Sequence, residues 1–281
     1  MGRRVSGCGE CPSSSARPAS EVRPDVKRRE RVASLRPYRA SNAAGKLVAA
    51  IAGFVRAKQD GPDVLTNSWA GDGPYPYPPP DPYDRALAVE IRDAVEQGIV
   101  VVFSAGNGHF SVEPQVPGVL SAGGVYASGG LELMASDYAS GYESPWFGGV
   151  TVPPVSGLVG MRPRAQHILL PVPPGSPIDT ERSIAASDDA PDGTAGNDGW
   201  ASFSGTSAAA PQTAGAAALI LGAKKDLDPA KVRQALCETA VDVRLGRCHP
   251  RFNFAAGPDR DIPTGFGLLN VSAALERAVN L

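Results

Sequence analysis

A three-layer α/β/α fold around a mostly parallel, doubly wound sheet is what this 281-residue sequence predicts, and three observations carry it. Strand-like and helix-like stretches alternate along the chain, the order that builds a parallel sheet covered on both sides. Ile99 to Phe103 is an unbroken apolar run, almost all β-branched, as a strand buried on both faces requires. Residues 207–222 are apolar all round, which marks a helix running through the interior rather than over the surface.

The first stretch, residues 1–42, predicts no packed structure. Residues 1–40 hold ten Arg and Lys against four Asp and Glu, lack Ile, Phe and Trp, and are rich in Ser, Arg and Pro. Such a segment buries too little apolar surface to offset its ordering entropy, so it reads as a disordered basic tail. Lys27-Arg28-Arg29-Glu30-Arg31 reads as part of that solvated tail rather than as a nucleic-acid patch. The whole chain carries a net charge of only −2, and no field of one sign points to nucleic acid or to a membrane surface. No apolar run approaches membrane-spanning length, and no apolar stretch follows the basic start as a signal peptide would need.

From residue 43 the pattern is regular, and residues 43–281 read as one domain. Leu47, Val48, Ile51, Phe54 and Val55 share one helix face, and Gly61-Pro62 ends the helix. Asp63 to Trp69 reads as a strand, followed by a stiff, exposed loop over 71–82 that holds six prolines. Asp84 is expected to cap the next helix, whose Leu87, Ile91 and Val95 lie on one face and which Gly98 terminates. After the buried strand come strands at Val119 to Tyr126 and Arg164 to Val172, with long connections over 140–160 and 173–200. Asp228-Pro229 places a cap and a first-turn proline before a helix reaching about Ala240, and a last helix begins near Asn270.

The chemistry concentrates at two places. Gly205-Thr206-Ser207-Ala208-Ala209-Ala210-Pro211 opens the interior helix. A serine there meets the positive end of the helix dipole, and its own backbone N–H has no intrahelical partner, so an oxyanion formed by its attack would sit beside a free donor. Pro211 lacks an N–H and leaves the carbonyl one turn earlier unpaired. The second place is Ser104-Ala105-Gly106-Asn107-Gly108, directly after the buried strand, where the carboxyl ends of parallel strands open into ligand-binding loops. An Asn there can donate its amide to a developing oxyanion with little reorganisation.

These residues resemble the serine and oxyanion motifs of subtilisin-like serine proteases (subtilases). The matching segments are Trp200 to Pro211 and VVVFSAGNG, with DVLTNSWAG, PGVLSAGGV and TGFGLLNVSAAL in support, over roughly residues 43–281. The resemblance implies a subtilisin-like fold and a serine endopeptidase that acylates Ser207. It makes Asn107 the oxyanion donor and places Ser68, Trp69, Ala70 and Gly71, with Ser104, Ala105 and Gly106, around the substrate side chain. It implies a peptide or protein substrate and requires no cofactor. Some relatives bind structural calcium, but Asp188, Asp189, Asp192, Asn197 and Asp198 lack a recognised calcium-loop spacing and read as a solvated loop.

The departure from the family lies in the other triad members, an early Asp and a His that opens a helix. Neither motif occurs here, so the fold is expected to lack its N-terminal strands and the His-bearing helix. The segment is then lost, frameshifted or carried by a complementary chain, and the isolated chain should be poorly soluble. His109 lies in the oxyanion loop, His167 in an apolar strand and His249 in an Arg/Pro context, and none reads as the base. Without a base a serine hydroxyl is a weak nucleophile, and losing the His of a subtilisin triad lowers kcat about 10⁶-fold. The alternative is a non-catalytic relative that binds peptides in a retained groove. In sedolisin-like peptidases a Glu/Asp pair replaces the His, but Glu90 and Asp93 read as a solvated helix face. Cys8 and Cys11 form a CxxC without a zinc-site partner pattern, and Cys237 and Cys248 could pair in an oxidising compartment.

Overall fold

The computed structural model describes residues 3–8, 33–38, 49–76, 78–161, 165, 167–184 and 191–281. In chain order its elements are β1 (Arg3–Cys8), β2 (Ala33–Tyr38), α1 (Ala50–Gln59), β3 (Val64–Asn67), α2 (Pro82–Glu96), β4 (Val100–Ser104) and β5 (Leu120–Ala127). There follow β6 (Leu133–Ala135), β7 (Tyr142–Glu143), β8 (Thr151–Val152), β9 (Val155–Leu158), β10 (Ile168–Pro171), α3 (Pro177–Ser183) and β11 (Trp200–Phe203). The chain closes with α4 (Thr206–Ala223), α5 (Pro229–Glu238), β12 (Leu245–Gly246) and α6 (Val271–Val279).

The main sheet runs β2-β1-β3-β4-β5-β6-β12, with β9 also paired to β5. Its pairings are parallel except β5 with β6. The pleat of β3 and β4 sorts the core into two layers. Val64, Val100 and Val102 pack with Ala209, Ala217 and Ile220 of α4 and Leu236 of α5. Leu65, Val101 and Phe103 face Phe54 of α1 and Leu87 and Ile91 of α2. All five residues of β4 are buried, as its apolar run predicts. The layered α/β/α arrangement with a mostly parallel sheet is thus present; α4 packs along the sheet but does not run wholly through the interior, because Ser207, Pro211, Gly215 and Leu219, spaced four residues apart, leave one stripe of it exposed. Among the described residues no helix is long and apolar enough to cross a membrane.

Several details differ from the sequence reading. Residues 3–8 and 33–38 fall in the stretch expected to be a tail without strands, yet they form β1 and β2, in parallel register beside β3. Composition misses them because a strand near the sheet edge is held by main-chain hydrogen bonds to its neighbour and need bury little side-chain surface. Ala33 to Pro37 are all exposed. The rest of residues 1–42 lies outside the described residues, as do the basic patch at 27–31, Cys11, Leu47, Val48, Asp188 and Asp189. The cap of α2 is Asp81, whose Oδ1 accepts from Asp84 N at 2.8 Å, so Asp84 stands inside the first turn. The connection 140–160 contains the short strands β7, β8 and β9, and 173–200 contains α3. Cys237 and Cys248 are both buried and free, which overturns a disulfide between them. Cys237 Sγ faces the carbonyl of Pro154 and Cys248 Sγ that of Gly141, in separate parts of the core.

Candidate active site

Ser207 stands in the first turn of α4, exposed, at the carboxyl end of β3 and β4. The residue before the helix, Gly205, has φ of +97°, which strongly favours glycine, and supplies no side-chain cap. The cap arrives from ninety-nine residues away. Asn107 Oδ1 accepts from Thr206 N at 2.9 Å and from Thr206 Oγ1 at 3.0 Å. Thr206 Oγ1 in turn accepts from Gly106 N at 3.2 Å, so the loop after β4 and the start of α4 are bonded in both directions. With its oxygen committed to Thr206, the Asn107 amide has its Nδ2 left to donate, and among the described residues that nitrogen has no partner.

Pro211 has a direct consequence four residues earlier. The Ser207 carbonyl has no helical N–H to accept, and Ser68 Oγ donates to it at 2.9 Å. Ser207 Oγ donates to the Ser68 carbonyl at 3.3 Å, so the two serines face each other across the site. Tyr138 supports the same turn from behind: its hydroxyl accepts from Gly205 N at 2.9 Å and donates to the Gly160 carbonyl at 2.9 Å.

The two segments expected to flank a substrate, 68–71 and 104–106, lie on either side of this point. Ser68 and Ala70 are half-buried. Trp69 is not a groove wall: it is buried, edge-on to Phe103 at 5.4 Å in the layer under α1 and α2. Its direction is set by the path of the chain after β3. A Cβ on Gly71 would meet nothing within 4 Å, so the space beside it is open. Ser104 and Ala105 are buried, and at Gly106, with φ of +105°, a Cβ would lie 2.9 Å from Ser140 Oγ. Backbone rather than side chains therefore forms most of both walls. Gly71 N donates to Oε1 of Glu113, a buried carboxylate, and burial pushes this carboxyl's pKa up.

No histidine reaches Ser207 Oγ among the described residues. His109 Nδ1 accepts from Asn107 N at 3.2 Å and so braces the oxyanion loop. His249 Nδ1 accepts from Arg251 N at 3.1 Å while its ring packs on Gly108. His167 packs against Gly160 just before β10. Nor do Glu90 and Asp93 reach the site, since both carboxylates hold the Lys58 ammonium between α1 and α2. β1 lies directly beside β3 and contains no carboxylate. Asp192 and Asp198 are engaged as acceptors of local backbone amides, and no group of three or more His, Cys, Asp or Glu among the described residues could hold a metal ion.

Sequence reasoning singled out Ser207 and Asn107, which the structure joins through Thr206, and it missed Tyr138, Glu113, Asp72, His249 and Arg251 as neighbours of the site. No local signal in residues 247–254 marked the last two, since only Pro250 and Asn253 there are turn formers.

A parallel sheet with an exposed serine in the first turn of its central helix, and an asparagine amide bonded beside it, is the arrangement of subtilisin-like serine proteases. The chain belongs to the subtilase family (peptidase S8), whose profile matches residues 28–258. It is 31% identical over 225 residues to a probable subtilase-type serine protease of Deinococcus radiodurans, an alignment covering 77% of this chain and 25% of that protein. It is 30% identical over 229 residues to fervidolysin of Fervidobacterium pennivorans, covering 80% of this chain and 27% of that one. The crystal structure of fervidolysin, a keratinolytic enzyme related to subtilisin, superposes with a TM-score of 0.60 at 25% identity, over 87% of this chain and 32% of the other. A lanthipeptide protease structure shares the fold, with a TM-score of 0.57 at 19% identity over 87% of this chain and 70% of the other. The chain spans about a quarter of the length of the curated relatives it matches.

Proposed function

We propose that this chain carries the nucleophile and oxyanion half of a serine endopeptidase site, and that alone it cleaves peptides poorly or not at all. Ser207 Oγ attacks the scissile carbonyl carbon, and the oxyanion is held by Asn107 Nδ2 and the Ser207 backbone N–H. Collapse expels the amine and leaves an acyl group on Ser207, which water then removes. Ser68 to Gly71 and Ser104 to Gly106 hold the peptide on either side. The observation that carries this reading is the pair of bonds from Thr206 to Asn107 Oδ1, which leave Nδ2 as the donor beside Ser207.

The proton of Ser207 needs an acceptor, and among the described residues its hydroxyl donates to the weakly basic Ser68 carbonyl. The imidazole and carboxylate that the site needs would have to come from outside the described residues, and a complementary fragment is one partner that would supply them. The same observation favours a second reading, a non-catalytic relative that binds peptides between the two walls. A fluorophosphonate probe with mass-spectrometric mapping separates the readings. Slow labelling confined to Ser207, about 10⁶ below an intact triad, is expected for the half-site. Labelling at an ordinary protease rate would show that a working base is present, and peptide binding with no labelling would establish the binding protein.

A further inference from the structure

The loop after β12 reaches back over the site from the far end of the chain. The guanidinium of Arg251 donates through Nη1 to Asp72 Oδ1 at 2.7 Å and to the Gly108 carbonyl at 2.9 Å, and through Nη2 to the Gly73 carbonyl. It thus touches both substrate-flanking segments, one residue beyond Gly71 on one side and one beyond Asn107 on the other. The same segments are stitched to each other where Gly73 N donates to the Phe110 carbonyl at 2.7 Å and Phe110 N to Asp72 Oδ1 at 2.9 Å. Asp72 is the hub: one carboxylate oxygen accepts both the Phe110 amide and the guanidinium.

The loop is itself anchored. Phe252 packs edge-on to Tyr75 at 5.0 Å and at a tilt to Tyr142 at 4.9 Å, in a cluster that includes Phe110 and Cys248. His249 presses its ring on Gly108 so closely that a Cβ there would lie 2.7 Å from Nε2. A planar cation with several donors, three-quarters buried and fixed by an aromatic neighbour, is suited to hold two loops at one separation in a way a lysine ammonium is not.

We infer that Arg251 is a positioning residue: it ties the oxyanion loop to the opposite substrate wall and so keeps Asn107 over Ser207. This rests on reading Asn107 as the oxyanion donor. The desolvation of Asp72 is offset by the Phe110 amide and by Arg251, which together keep its carboxyl below the ordinary range and the pair charged.

The test compares the full chain with Arg251→Ala and Arg251→Lys. Hydrogen exchange is followed at the amides of 105–111 and 71–75, with α6 as internal control, and affinities are measured for a peptide boronate and for the matching peptide amide. Arg251→Ala is expected to speed exchange in both loops while leaving α6 unchanged. It is expected to weaken the boronate, which needs the oxyanion donors, by roughly 10- to 100-fold, with a much smaller loss for the amide. Arg251→Lys should lie between. Unchanged exchange in the two loops, or an equal loss for both compounds, overturns the inference. If the unaltered chain binds the amide but not the boronate, the nucleophile reading fails, and with it the positioning role, even where exchange shows the loops loosened.

Discussion

Asn107 caps α4 with its oxygen and, in the proposed site, donates with its nitrogen, and substitutions that separate the two test the site. Replacing Asn107 by Ala removes the acceptor of two hydrogen bonds, at 2.9 and 3.0 Å, that stand in for the missing side-chain cap of α4. Asn107 is exposed, so each bond belongs at the low end of the usual range, and the pair together contributes about 1–2 kcal/mol. For a domain of this size that is a fall in Tm of about 2–8 °C. Replacing Asn107 by Asp keeps an oxygen for Thr206 and adds a negative charge at a helix N-terminus, worth about 0.3–1 kcal/mol in favour of the fold. The introduced carboxylate has no N–H to give, however. Removing one oxyanion donor, measured in subtilisin itself, costs about 10²–10³, so both substitutions should weaken a peptide boronate by that factor. The assay is differential scanning calorimetry beside boronate titration at neutral pH. Thermal stability should fall for Ala and hold or rise for Asp, while boronate affinity falls for both. An Asp variant as unstable as the Ala variant would refute the remote cap, and an Asp variant that binds boronate normally would refute the oxyanion role.

Three further outcomes follow from the same geometry. Gly205→Ala puts a Cβ 2.9 Å from Asn107 Nδ2 at a φ of +97°, and should cost about 1–3 kcal/mol by chemical denaturation; an unchanged midpoint would mean the turn is not strained for other residues. Glu113 has its folded pKa raised by burial, so the neutral carboxyl stabilises fully below its unfolded pKa of about 4.3, and this contribution is lost as pH rises through the folded value. Glu113→Gln should therefore flatten the decline of stability with pH between acid and neutral conditions, and a variant with the same slope as the parent would place the titration elsewhere. Replacement of His167 by Ala should leave fluorophosphonate labelling of Ser207 within a few-fold of the parent rate, since it packs on Gly160 and is not bonded to Oγ; a thousandfold fall would identify it as the base.

The fold was legible because it depends on patterns that sequence displays directly. The β-branched run of β4 requires burial on both faces, and only a sheet between two helical layers supplies it; α4, rich in small apolar residues, packs on that sheet and leaves Ser207, Pro211, Gly215 and Leu219 exposed along one stripe. Ser207 and Asn107 were legible for a local reason, since a helix start and a strand end carry their own residue signatures. The illegible parts depend on groups far apart in the chain. Nothing local tells Asn107 that its oxygen will cap a helix ninety-nine residues later, or Arg251 that its guanidinium will meet Asp72 and Gly108. β1 and β2 were hidden because composition measures side-chain burial, whereas these strands are held by main-chain pairing. The side chain of Trp69 turns into the core, a direction set by the path of the chain after β3 rather than by its distance from a motif.

The sequence by itself thus indicated the layered architecture, the family and the two residues proposed to carry the chemistry, because burial and chain-turning requirements are written in residue type. Only the tertiary structure decided how those residues are held: which atom of Asn107 is free, what accepts the Ser207 hydroxyl proton, and which side chains set the distance between the two walls. Those depend on the meeting of loops from three parts of the chain, and long-range geometry of that kind leaves no periodic trace in the order of the residues.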